Sequence, residues 1–129
     1  MPRANISTGS VYEQKVGYSR AVRIGQHVAV AGTTSMKDGL QVGEDDPAEQ
    51  TRVILDTIAW ALNEAGASVD DIIRYRVYLA DVTHWPVVAP ILHERLGHIR
   101  PTNTLIGGVT LVDPKMLVEI EADAIVDAD

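Results

Sequence analysis

The sequence predicts an α/β (α+β) fold: a mixed sheet with two helices packed on one face. Three observations lead there. Short runs such as Ile73 to Ala80 and Met116 to Val126 alternate apolar and polar residues with the period of a half-buried strand. Two longer segments, Asp46 to Gly66 and Trp85 to Gly97, carry helix-start and helix-stop signals. The order is strand–strand–helix–strand–helix–strand–strand, so each helix lies between strands that it can join in parallel.

At 129 residues the chain suits one domain spanning 1–129, and 46% hydrophobic residues are enough for a packed core. No long apolar run predicts a transmembrane helix, and Met1 to Asn5 lacks the apolar core of a signal peptide. With no cysteine there is no disulfide framework, thiolate metal site or cysteine nucleophile. A cytoplasmic location is the expectation, without membrane contact. The net charge of −7 argues against a nucleic-acid binder, which would want a basic patch.

Residues 1–10 read as an irregular lead-in. Arg20 to Ile24 and His27 to Ala31 flank Gly25-Gln26 as a hairpin. Gly32 and the hydroxyl-rich Thr33-Thr34-Ser35 follow, then a surface loop over Met36 to Asp46. Asp46-Pro47-Ala48-Glu49 starts a helix: Asp46 caps it, Pro47 fits its first position, and Gly66 lies just past its end. Ile54, Leu55, Ile58, Ala61 and Leu62 share one side of this helix, with Trp60 near the opposite side. Ser68 to Asp71 reads as a single turn. Ile73 to Ala80 is a strand with Tyr75, Val77 and Leu79 on one face and a basic face carrying Arg74 and Arg76. The second helix is expected to begin close to Pro90, because proline is awkward in a helix interior.

Arg100 to Val126 reads as two strands, Asn103 to Leu111 and Met116 to Val126, joined by a tight turn at Asp113-Pro114-Lys115. In the second strand Glu119, Glu121 and Asp123 share one face. A solvated sheet face explains them by pattern alone. The functional alternative is that one of the carboxylates lines a cleft, at a contact between subunits.

Other motifs add little. His93 and His98 are five residues apart and do not share a helix face as a zinc-binding H-E-x-x-H pair does. No metal site and no cofactor requirement is expected. Gly107-Gly108 inside a strand pattern implies a bulge or a close backbone approach.

Pro101-Thr102-Asn103, the turn, and Val118-Glu119-Ile120-Glu121-Ala122 together resemble the C-terminal signature of the RidA/YjgF family of imine/enamine deaminases. Gly17-Tyr18 and the strand His27 to Gly32 resemble the family's N-terminal part. The resemblance implies a chorismate-mutase-like fold, a homotrimeric barrel with clefts between subunits, and a small-molecule substrate. It implies that Glu119 places the hydrolytic water and that Tyr18 reaches the ligand across the subunit contact. Gly32 and Thr33 fall where backbone groups line the cleft. Asn103 falls on the family's active-site Arg, Leu105 on its cleft Cys, and Ala89 on a helix Asn. A neutral Asn103 cannot make the two charge-assisted hydrogen bonds by which Arg holds a carboxylate, worth roughly 1.5–3 kcal/mol. Arg20, Arg100 and the basic face of Ile73 to Ala80 are the alternative sources of charge. Imine/enamine hydrolysis is therefore the first expectation, and a non-catalytic ligand-binding or regulatory trimer the second. An endoribonuclease, a label also attached to the family, fits poorly with the acidic charge and scarce aromatics.

Overall fold

The computed structural model describes residues 2–127. Its elements in chain order are β1 (Arg3–Ile6), α1 (Val11–Val16), β2 (Ala21–Ile24), β3 (His27–Thr33), β4 (Met36–Lys37), β5 (Leu40–Gln41), α2 (Pro47–Glu64), β6 (Ile72–Leu79), α3 (Trp85–Leu96), β7 (Thr102–Ile106) and β8 (Val118–Ile125). Six strands form one mixed sheet in the order β1-β2-β3-β8-β6-β7. Among the described residues only the β6–β7 pairing is parallel, because α3 carries the chain back over the sheet between them. The strands β4 and β5 form a separate hairpin around Asp38 and Gly39. Both of those residues adopt positive φ, as a two-residue hairpin turn of this kind requires.

One face of the sheet is dry. Val28, Val30, Tyr75, Val77, Leu79, Val118, Ile120, Ala122 and Ala124 join Ile54, Ile58 and Leu62 of α2 and Val88, Ile91 and Leu96 of α3 in one core. Each such large side chain contributes about 1.5–3 kcal/mol when fully buried. The alternation read from β6 and β8 therefore holds, with the acids of β8 on the face that the helices leave bare. That bare face also carries exposed Ile24, Ile106 and Ile125. Among the described residues no helix is long and apolar enough to cross a membrane.

Helix α2 starts where the capping signals put it: the Asp46 side chain accepts from the Glu49 N–H, and Pro47 opens the first turn. Gln50, fully buried, binds the loops around it. Its amide donates to the carbonyls of Gly43 (3.1 Å) and Lys115 (2.9 Å) and accepts from the Leu117 N–H (2.9 Å). Trp60 is 41% exposed, on the side away from the core.

Three expectations are corrected. The lead-in is not irregular: β1 pairs with β2, and α1 follows almost at once. Helix α3 begins at Trp85 rather than near Pro90. Pro90 removes the bond to the Pro86 carbonyl, but Val88, Ile91, Leu92 and Leu96 bury the face that holds the helix in place. The C-terminal strands are not a hairpin. A turn does form at Asp113, where the Met116 N–H donates to its carbonyl at 2.9 Å. But β7 ends at Ile106 and takes the sheet edge beside β6, while β8 enters the slot between β3 and β6. The first run stops there because Gly107 packs on Val82 so closely that a Cβ would lie 2.4 Å from the Val82 Cβ, and Gly108 turns at φ 71°.

Candidate functional site

The site begins with an irregularity in β3. Val30 pairs with Ala122, yet Thr33 pairs with Ile120, so β3 carries an extra residue at a β-bulge around Ala31 and Gly32. Beside it, on the bare face of β8, stands Glu119. A Cβ on Gly32 would sit 3.0 Å from the Glu119 Cδ and 3.1 Å from its Oε2. Glycine is what leaves room for this carboxyl. Burial raises the pKa of Glu119 above the usual carboxylate range; nearby Arg20 opposes the shift and Glu121 adds to it.

Arg20 is itself buried. Its Nη1 donates to the Gly32 carbonyl (2.6 Å) and to the Thr33 hydroxyl (3.2 Å). Its Nη2 donates to Glu13 Oε2 (3.2 Å) and to the Tyr18 hydroxyl (3.5 Å). The guanidinium also lies 5.6 Å from the centre of the Tyr18 ring. Glu13 comes from α1, which Ser10 caps at its start and Gly17 ends in a left-handed conformation at φ 86°. The carboxylate of Glu13 accepts from the hydroxyls of Ser7 (2.7 Å), Thr8 and Ser10 (3.0 Å). Burial alone would raise its pKa, but those hydroxyl bonds and Arg20 outweigh burial and hold it below the usual value. The short helix thus delivers one buried anion that fixes one buried cation against the bulge.

Around these groups lies a cleft of about 210 Å³. Glu119, Arg20, Gly32 and Thr33 line its polar side, and Tyr12, Val16, Met36, Val112 and Met116 its apolar side. Tyr18 reaches it as well. Four of the residues singled out from sequence, Tyr18, Gly32, Thr33 and Glu119, are therefore gathered in one place.

Asn103 and Leu105 are not with them. In register Asn103 lies beside Tyr75 on the helix-covered side, two strands from β8, and its Nδ2 donates to the Tyr75 carbonyl at 3.3 Å. With Leu105 it lines a second cleft of about 240 Å³, shared with Tyr75, Trp85, Ala89 and His93. Within one chain the two groups cannot touch the same small molecule.

Of the alternative cations, Arg100 is exposed and lines neither cleft. Arg76 is 3.4 Å from Glu121 and 3.7 Å from Asp123, and Glu121 also accepts from the Tyr78 hydroxyl. Those two acids are cross-strand rim partners rather than cleft residues. His98 pairs with Asp70 at 2.6 Å, away from His93. Among the described residues no group of three or more potential ligands is placed to hold a metal ion. Glu13 is the residue that sequence reasoning missed. The signal was there: Ser10 with Glu13 three positions on is a capping pair, and Gly17 is a helix stop.

Comparison with known proteins gives consistent matches. A family model described as endoribonuclease L-PSP matches residues 9–126. The crystal structure of Rv2704 from Mycobacterium tuberculosis, described as a member of the YjgF/YER057c/UK114 family, superposes with a TM-score of 0.88 at 45% identity, covering 97% of this chain and 100% of that one. An uncharacterised protein of Streptomyces coelicolor, SCO2049, is 37% identical over 92% of this chain and 89% of its own length. The 3-aminoacrylate deaminase RutC of Acinetobacter baylyi is 32% identical over 83% of this chain and 85% of its own.

Proposed function

The chain belongs to the YjgF/RidA family, and from that membership we propose that it hydrolyses small imines or enamines in the Glu119 cleft. The observation that carries this reading is the half-buried Glu119 carboxyl, with its raised pKa, held against Gly32 at the foot of a mostly apolar cleft. A carboxylate there accepts a hydrogen bond from water and directs the water oxygen at the imine carbon. The C=N π pair moves to nitrogen as the C–O bond forms, giving a carbinolamine. Glu119 takes the water proton and returns a proton to nitrogen. The hydroxyl proton of the carbinolamine then passes to nitrogen as the oxygen lone pair forms the C=O bond and the C–N bond breaks, so that one imine and one water yield one carbonyl compound and one ammonia. An enamine enters the same sequence once its carbon is protonated to the imine.

The reading includes a homotrimer in which the Asn103–Leu105 cleft of one copy meets the Glu119 cleft of the next. The separation of the two groups within one chain supports it, as do the exposed isoleucines on the bare face of the sheet. The deaminase among the relatives supports the reaction class. The net charge of −7 speaks against RNA as the substrate.

The test is ammonia release from freshly generated imines, with and without a carboxylate, by the native protein, Glu119→Gln and Glu121→Gln. Turnover is expected to fall by at least about 100-fold in Glu119→Gln, the scale of a lost general base, and to persist in Glu121→Gln. No rate above the spontaneous one, with saturable ligand binding, would favour a non-catalytic binding trimer, the reading to which the neutral Asn103 lends itself.

A further inference from the structure

The cleft that holds Glu119 has a polar wall, and its charges can be counted. Arg20 and Glu13 form a buried ion pair and cancel. Glu119 remains, so the wall is negative when Glu119 is ionised. Arg20 offers nothing more through its Nη atoms. All four of their N–H groups are matched by four acceptors: the Gly32 carbonyl, the Thr33 hydroxyl, Glu13 and the Tyr18 hydroxyl. A ligand carboxylate would have to displace one of these to be gripped in a fork, and would do so beside Glu119.

The second cleft has no such grip either. Among the described residues that line either cleft, Arg20 is the only Lys or Arg, and the second cleft offers Asn103 and His93 as its polar side chains besides the Tyr75 and Trp85 tips. Lys37 lies outside, in a shallow neighbouring hollow with Asp38 and Asp56. The remaining walls carry Val16, Met36, Val112 and Met116 with the hydroxyls of Thr8, Ser10, Thr34 and Thr57 in one cleft, and Leu92, Leu96 and Leu105 in the other; none of these side chains brings a positive charge. A carboxylate brought here would lose its water for no compensating charge, which is costly, and would face a like charge as well.

From this arrangement we infer that the substrate is a carboxylate-free imine with an apolar substituent of a few carbons, cationic when protonated on nitrogen. Its iminium nitrogen faces Glu119 and its hydrocarbon part lies against Met36, Val112 and Met116. The inference rests on the hydrolytic reading above for the word substrate, but the ligand preference stands independently of turnover. It sets this chain apart from an enzyme that acts on 3-aminoacrylate, whose substrate carries a carboxylate.

Two measurements separate the two claims. In the first, the inert ligands 4-methylpentanamide and 4-methylpentanoate, which share one skeleton, are titrated at pH 8 into the full-length protein, followed by the Gly32 backbone amide resonance. The amide is expected to bind at least about tenfold more tightly. In the second, ammonia release is compared for the imine of 3-methylbutylamine and the imine of leucine, which differ by a carboxylate; kcat/KM is expected to favour the former by about the same factor. Amide preference without turnover would uphold the ligand class and sink the hydrolytic reading. Equal or tighter binding of the carboxylate, or no binding of either, would overturn the inference whatever the turnover. Asn103→Arg is the internal control: installing a fork should raise carboxylate affinity about tenfold or more, and an unchanged preference would count against the absence of a cation as its cause.

Discussion

The chemistry of the cleft turns on two residues, Glu119 and Gly32. A carboxyl whose folded pKa is raised contributes stability that is fully present below its ordinary pKa of 4.5 and lost as pH rises through the folded value. Ionised Glu119 is thus held at a cost to the fold. Glu119→Gln should melt higher than the native protein at pH 8 and no higher at pH 3.5, even as it loses turnover. A thermal melt at the two values checks this, and equal shifts at both would remove the burial argument. Gly32→Ala tests the other partner. Its Cβ would lie 3.0 Å from the Glu119 Cδ, a contact that the Glu119 side chain relieves only by moving a few tenths of an ångström. The expected outcome is a folded protein with kcat lowered several-fold, less than the roughly hundredfold of a full ångström misplacement. These residues were legible to different degrees. Glu119 stood out because strand alternation and the family signature coincide on it. The role of Gly32 as room for a carboxyl depends on the bulge, which joins strands far apart in sequence.

Helices and strands explain what was misread. The start of α2 was legible because its signals are local: Asp46, Pro47 and Glu49 act within one turn. The pairing of β7 and β8 was not, since a tight turn predicts neighbours while β6, from thirty or so residues earlier, takes the place between them. Pro90 was read by its local penalty, and the tertiary packing of α3 overrode it. The short α1 escaped because a helix of its length has little periodicity to show. Its purpose is to present Glu13. Removing one member of a buried pair leaves the other uncompensated, so Glu13→Gln should cost roughly 3 kcal/mol, read as a fall in the urea midpoint at pH 7. The pKa of Glu13 is lowered on folding, so its contribution is present above the ordinary value of 4.5 and disappears as pH falls through the folded one. The gap between native and Glu13→Gln should therefore close in acid. A gap that persists there would mean that packing, not charge, is what Glu13 supplies.

For the whole molecule, the sheet has one face covered by helices and one face bare, and it divides the candidate residues between two clefts that no single chain can join. The layering was legible from the periods of strand and helix; the split was not, because register across β8, β6 and β7 is a tertiary fact. In the proposed trimer the Glu119 cleft of one copy and the Asn103 cleft of the next make one hydrolytic site. The most direct measurement is ammonia release by trimers co-assembled from two inactive variants, Glu119→Gln and Asn103→Trp, each damaged in a different cleft. Random mixing restores an intact pair of clefts at some interfaces, and activity of roughly a quarter of the native level is predicted. Co-assembled trimers no more active than the parent variants would contradict the claim.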